Sequence, residues 1–441
     1  MDSRRIGLLL ILLFGVSLVA WNLRTISGSQ EVGAAVVEPK DGFEKLTAGQ
    51  SLAFESMTPE LKTRVEPLTD AVVLRSWAAP HWLHVVSGSG RDPATRELRS
   101  KKLRECPLTL LMQWVFDEGC AQQHSVVIDI GMNLGWFTAL AAAHGLQVVA
   151  VEPSATKVQY MAKTLELNGW GELVQLRHGA LADGGGKLFV DEARWWEKRS
   201  ASREGGDGKT QAEAIRLDDL VLSDTKVCLL KADCRGCETE AFRSGEQLLK
   251  AGAIQVVQME YDNSMASQAA LETLQSMSPR PWQCILLPTG ISCSGADLAD
   301  KQGEALKELW DFVVGNVHED CSASTLRELS PPDAHGYHTD LWLVHDHTMD
   351  RLRAEPNFVA AQQRLAEAQS QKCEYAEQQV EPGVCELMCH RFSNIEEAKE
   401  ACSARPTCTK VLAVSSGFEL RGGAAFAGPM QVPATIKLHC S

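Results

Sequence analysis

The feature that most constrains this chain is the stretch Val126-Val-Ile-Asp-Ile-Gly-Met-Asn-Leu-Gly-Trp-Phe-Thr138, followed by Val148-Val-Ala-Val-Glu-Pro153. A short apolar run rich in β-branched residues ends at Asp129 and reads as a strand buried on both faces. Gly131 and Gly135 then let the backbone turn sharply and approach a ligand where a Cβ would obstruct it. A helix is expected from about Trp136, and a second buried strand ends at Glu152. Strand, glycine loop, helix, strand and acid make a βαβ unit, the building block of a doubly wound, mostly parallel sheet.

Such sheets gather ligands at the carboxyl ends of their strands, where Glu152 is placed to accept hydrogen bonds from both hydroxyls of a ribose. A dinucleotide would need G-x-G-x-x-G, whose second glycine makes room for the pyrophosphate. Here the loop reads G-x-x-x-G, and Asn133 stands at that second position. S-adenosylmethionine has no pyrophosphate. The unit therefore predicts an S-adenosylmethionine site built from Asp129, Gly131, Met132, Asn133, Gly135 and Glu152.

Two later segments extend the pattern: Ile215-Arg-Leu-Asp-Asp-Leu220 and Leu229-Leu-Lys-Ala-Asp-Cys-Arg-Gly-Cys-Glu-Thr-Glu-Ala-Phe-Arg-Ser-Gly245. Taken in order with the first unit, they resemble the FkbM family of methyltransferases. That family shows a V-D-x-G-A-N-x-G-like opening, a hydrophobic-E-P strand end, a T-L-D-D-like segment, and L-K-I-D-V-E-G-A-E followed by L-x-G. The resemblance covers about residues 126 to 262 and reaches on to Leu341-Trp-Leu-Val344. It implies a Rossmann-like class I methyltransferase fold and methyl transfer from S-adenosylmethionine. The chain departs from the family at Met132, often alanine there, and at Arg235 and Cys237, which replace the usual glutamate and alanine.

Asp233 and Glu260 each close an apolar run, so both carboxylates are expected in the crevice beside the transferred methyl group. Transfer to a hydroxyl needs an oriented acceptor and a base for its proton, a role open to Asp233 or Glu238. Alternatively, Asp233 and Glu260 hold a divalent cation that binds two substrate oxygens. Glu238 has an equally good structural reading, capping the next helix or pairing Lys231. Asp183 is either a contact for the adenine edge or an ordinary turn aspartate. Cys234-Arg-Gly-Cys237 reads first as substitution within the family loop and second as a tight disulfide. His335, His338, His345 and His347 are closely spaced without a metal-binding pattern, and read as solvated loop residues around a strand. Trp195 and Trp196, adjacent in a polar loop, offer a platform for the apolar face of a sugar or, alternatively, pack on the sheet.

The rest of the chain reads as attachments. Ile6 to Leu23 carries no charge over eighteen residues and follows Arg4 and Arg5. That length is close to the minimum for crossing about 30 Å of hydrocarbon. We expect a signal anchor at 6–23, a stem at 24–67, the methyltransferase-like domain with its leading helices at 68–347, a solvated linker helix at 348–372 and a cysteine-rich module at 373–441. The basic flank orients the anchor as a single-pass type II span of the secretory pathway, in the endoplasmic reticulum or Golgi, with secretion after cleavage as the alternative. Six of fourteen cysteines fall in the last module, as expected of a disulfide framework in an oxidising compartment. Its predicted helix over Ser393–Cys402, the cysteines and the segment Phe418-Glu-Leu-Arg421 resemble a PAN or apple module. That implies protein or carbohydrate contact; a stabilising cap is the other reading.

The net charge of -14 disfavours nucleic acid as a partner. Together these features predict an O-methyltransferase acting on a glycan or small-molecule hydroxyl in a lumen. The alternative from another class is a noncatalytic luminal binding protein that keeps the fold and recognises partners through its cysteine-rich tail.

Overall fold

The computed structural model describes residues 44–45, 70–78, 80–90, 92–120, 125–190, 201–202, 210–234, 236–262, 264–288, 307, 310–329, 339–370, 373–380, 384–385, 391–392, 394–403, 408–414, 417–422 and 432–440. The segment 6–23, Trp195, Trp196, Arg235, His335 and His338 lie outside them. Among the described residues no helix is long and apolar enough to cross a membrane.

A small antiparallel sheet comes first, from β1 (Glu44–Lys45), β2 (Ala71–Arg75) and β3 (Leu83–Ser87). Helix α1 (Pro93–Lys101) is capped by Asp92, whose carboxylate accepts from the Ala94 and Thr95 N–H groups. Helix α2 (Cys106–Trp114) runs on as a π-helix over Val115–Cys120. Leu108, Leu111, Met112 and Val115 recur at helical spacing and are among the residues this helix and its continuation bury. The large sheet opens with β4 (Val126–Ile130), α3 (Trp136–Ala143), β5 (Gln147–Glu152), α4 (Ala155–Asn168) and β6 (Val174–Leu181). Ser154 caps the start of α4, and Gly169 ends it in the left-handed conformation.

An excursion through β7 (Lys187–Val190), β8 (Ala201–Ser202) and β9 (Thr210–Ile215) leads to β10 (Val227–Ala232), α5 (Glu238–Ser244), α6 (Glu246–Lys250), β11 (Ile254–Tyr261) and α7 (Met265–Met277). The strands β12 (Gln283–Pro288), β13 (Val317–His318) and β14 (Thr339–Val344), with α8 (Ala323–Leu329), complete this part. The strand order is β13-β12-β14-β11-β10-β4-β5-β6-β9-β7-β8. From β11 to β9 every pairing is parallel, the doubly wound core that the sequence predicts, while both margins are antiparallel.

The chain winds outward from β4 through β5 to β6 on one side and from β10 to β11 on the other. The switch point of the sheet therefore lies between β4 and β10, where a crevice opens at the carboxyl ends. The two faces differ in chemistry. One presents Ile128, Ile130, Leu230, Ala232, Val257, Met259, Leu341 and Leu343 to Phe242, Leu248, Leu271 and Leu274 of α5–α7, a continuous apolar core. Each of these side chains removes apolar surface from water at roughly 1.5–3 kcal/mol when fully buried. The opposite face turns polar toward the carboxyl end.

Helices α9 (Asp346–Ala354) and α10 (Pro356–Ser370) follow. The latter was expected to be a solvated connector. Instead, Phe358 and Ala361 are buried, Phe358 meets Trp310 edge to face, and Arg364 pairs with Asp311, so one side of the helix is docked. The tail forms β15 (Cys373–Val380), β16 (Val384–Cys385), β17 (Arg391–Phe392), α11 (Ile395–Ser403), β18 (Cys408–Val414), β19 (Gly417–Gly422) and β20 (Val432–Cys440) in one antiparallel sheet. In α11, Asn394 caps Glu396, and Ala398 and Cys402 point inward.

Disulfides also staple the large domain. Cys120–Cys228 ties the π-helix to β10, and Cys284–Cys321 ties β12 to the segment before α8. A third, Cys234–Cys237, closes the C-x-x-C loop, so the second of the two sequence readings of that motif is the one formed.

Candidate active site

The loop from Gly131 to Gly135 is built from alternate left-handed residues: Gly131 at φ 74°, Asn133 at 56° and Gly135 at 79°. Only glycine suits this region freely, and asparagine is among the few other residues that tolerate it. Close packing makes the two glycines doubly necessary. A Cβ on Gly131 would overlap the Asp233 carbonyl, and one on Gly135 would overlap the Met161 side chain of α4. The loop is pinned to β5 by hydrogen bonds from the Gly131 and Met132 N–H groups to the Val151 carbonyl, and Met132 itself is buried.

Glu152 ends β5 and is only 4% exposed. Its Oε2 accepts from the Asn133 N–H at 2.9 Å and its Oε1 from the Ser154 N–H at 2.9 Å. One donor per oxygen leaves each with a further lone pair, the capacity that two ribose hydroxyls require. Burial raises the Glu152 carboxyl above the ordinary range, and Lys157 and the two N–H groups pull it back. Asn133 Oδ1 is buried without a partner on the same loop. The residues present thus fit a nucleoside-type cofactor at this edge.

Asp129 is 1% exposed; Oδ2 accepts from the Thr138 hydroxyl at 2.7 Å, and Oδ1 lies 3.6 Å from Lys231 Nζ. Lys231 also bonds Asp233 at 3.2 Å and sits 5.4 Å from the Phe137 ring centroid. Burial by itself would lower the Lys231 pKa, but Asp233, Asp129 and Glu105 outweigh it and hold the ammonium charged. Asp233, at the end of β10, donates its N–H to the Ile130 carbonyl, which couples the two loops across the switch point. Glu260 lies opposite Asp340 in the β11–β14 register.

Glu238 begins α5, buried, with its carboxylate accepting from the Cys234 N–H at 3.1 Å and the Gly236 N–H at 2.8 Å. It braces the loop behind Asp233, and burial raises its pKa. Asp183 stands in a part-exposed ion pair with Arg216. His345 is buried rather than solvated. Its ring stacks on Trp282 with centroids 3.6 Å apart, and burial lowers its pKa. Among the described residues no group of three or more His, Cys, Asp or Glu side chains could hold a metal ion.

Sequence reasoning missed Arg104, Glu105, Gln258 and Asp340. Glu105, at the start of α2, and Asp340, on β14, both have carboxyls raised first by burial, and each feels the charge of Asp233. Their signal was weak: Glu105 precedes the first strand, and Asp340 borders a run read only as apolar.

The glycine cradle, the buried acid and the charged switch point all fall within one stretch that resembles a known domain family. The family model for the methyltransferase FkbM domain matches residues 129–282. No curated protein matches the chain. Solved structures that match part of the chain include the human methyltransferase 10 domain containing protein, at 14% identity over 56% of this chain and 85% of that one, with TM-score 0.27. The N-terminal domain of human METTL16 gives 12% identity, 57% and 78% coverage and TM-score 0.29. A putative caffeoyl-CoA O-methyltransferase from Staphylococcus aureus gives 8%, 56% and 88%, with TM-score 0.26.

Proposed function

We propose that this protein is an S-adenosylmethionine-dependent O-methyltransferase acting on a hydroxyl of a glycan or other luminal acceptor. The observation that carries the reading is Glu152, held by two backbone N–H groups with one acceptor position left on each oxygen, beside a glycine loop that a Cβ would fill. Bound S-adenosylmethionine would supply an electrophilic methyl group on a sulfonium centre. The chain's own part is to orient the acceptor and take its proton. Asp233, 23% exposed and anchored by Lys231, is positioned for that proton at the mouth of the crevice. Disulfides in the domain support a luminal or extracellular setting, with residues 6–23 as a type II anchor.

The test is calorimetric titration of S-adenosylmethionine and S-adenosylhomocysteine into the oxidised full-length protein. We expect saturable binding, weakened at least about tenfold by Glu152→Ala, a loss of about 1.4 kcal/mol or more. Gly131→Val should abolish it, because the side chain meets the Asp233 carbonyl at positive φ. A folded wild-type protein that binds neither compound overturns the reading in favour of a noncatalytic binding protein.

A further inference from the structure

We propose that the polar face of the sheet beside Asp233, formed by Gln258, Asp340 and Trp342 with Glu105 within electrostatic reach of Asp340, is the acceptor subsite and takes a polyhydroxylated, sugar-like ligand. The inference rests on the methyltransferase reading for its purpose but not for its chemistry.

Register places these groups together. Asp129 pairs with Lys231, Lys231 with Gln258, Gln258 with Trp342, and Glu260 with Asp340. Directly paired residues share a face, and so do residues two apart along a strand. Asp129, Lys231, Gln258, Glu260, Asp340 and Trp342 therefore form one row, opposite the apolar core. The row is continuous with the cofactor crevice through Lys231 and Asp233.

Two groups in this row are unfinished. Gln258 is fully buried; its Nε2 donates to Asp340 Oδ1 at 2.7 Å, while its Oε1 accepts nothing. Trp342, 1% exposed, has an indole N–H without an acceptor. A buried polar group left unmade costs roughly 1–3 kcal/mol, so two side by side on one polar row call for an occupant. One is an acceptor and the other a donor. A hydroxyl satisfies both kinds, whereas an ammonium group can only donate.

Charge points the same way. Glu105 and Asp340 carry raised carboxyl pKa values, first through burial, and Lys231 and Arg104 lie among them. The site is rich in acceptors for vicinal hydroxyls. The Glu105 side chain keeps 31% of its surface exposed.

The experiment uses oxidised full-length protein and the methyl glycosides of mannose, galactose, fucose and N-acetylglucosamine, with choline as a cationic control. Binding is followed by saturation-transfer NMR with and without S-adenosylhomocysteine. We expect at least one glycoside to bind saturably, choline not to bind, and Asp340→Asn and Glu105→Gln each to weaken the glycoside about tenfold or more. Both variants should keep S-adenosylhomocysteine affinity within about twofold of wild type. Glu105, part-exposed, provides the second variant should Asp340→Asn fail to fold. Failure of all four glycosides, or equal binding by both variants, overturns the subsite, and choline binding in their place assigns the pocket to cations. Loss of S-adenosylhomocysteine binding in the wild type strikes the proposed function alone, since glycoside binding is read without it.

Discussion

At the residue scale, burial sets the electrostatics of this domain, and His84 on β3 shows its size. The side chain is fully buried, takes a hydrogen bond from Trp82 Nε1 on Nδ1 at 3.3 Å, and packs edge-on to Trp136. Burial, the largest cause, lowers its pKa to about 3. The unfolded chain binds this proton near pH 6.5, so acidification favours unfolding once pH drops below that value. Stability should fall by about 1.4 kcal/mol per pH unit from about 6.5 down to about 3, from this residue alone. His84→Phe keeps a ring in the Trp82–Trp136 cluster and removes the titration. Urea unfolding measured at several pH values should give a flatter acid limb for the variant; an unchanged slope would show that His84 charges in the folded state. Glu152 and Glu238 pull the other way: burial raises both carboxyls, so the folded protein takes up their protons before the unfolded chain does, and stability rises as pH falls through the range just above that of an ordinary glutamate.

At the scale of elements, the loop between β10 and α5 decides where Asp233 stands. Its backbone N–H groups at Cys234 and Gly236 converge on the Glu238 carboxylate, and its ends are joined by Cys234–Cys237. Glu238→Ala removes two hydrogen bonds to a buried acid and should cost roughly 3 kcal/mol. Cofactor affinity should fall with it, because the loop backs directly onto Gly131. Denaturation and calorimetry on one preparation check both; lost turnover at unchanged stability would instead make Glu238 the base. The strands and the glycine loop were legible because β-branched runs, glycines and acids at strand ends announce a parallel βαβ unit locally. The polar row was not. Gln258 is one of three polar residues in Ile254–Tyr261, and Asp340 lies at a strand margin, so only the register of β10, β11 and β14 shows that they face the same crevice. The C-x-x-C bridge was ambiguous for a related reason, since spacing fixes reach and leaves the closing geometry to the fold.

Across the whole molecule, the placement of the bridges determines where the chain can fold. Cys120–Cys228 closes a span of 108 residues between the π-helix and the strand that delivers Lys231 and Asp233, and Cys284–Cys321 closes 37 residues at the other margin of the sheet. Cysteines cluster in the tail, whereas the partners of these two pairs lie 108 and 37 residues apart, so spacing does not announce them. In the chain-entropy view each bridge stabilises by restricting the unfolded state, by about 4–5 kcal/mol for the long span and about 4 for the short one. Domains of ordinary stability have roughly 5–15 kcal/mol in total. Losing one bridge should leave a folded but weakened domain, whereas losing both should leave it close to unfolding. With eleven tryptophans in the chain, intrinsic fluorescence reports the transition directly. Cys120→Ser with Cys228→Ser should move the urea midpoint down by an amount equivalent to about 4 kcal/mol, and adding Cys284→Ser with Cys321→Ser should abolish a cooperative transition. A reductant added to the wild type should reproduce the second result. Midpoints indifferent to both the substitutions and the reductant would mean that packing on the apolar face alone holds the sheet, and that an oxidising compartment is not required for folding.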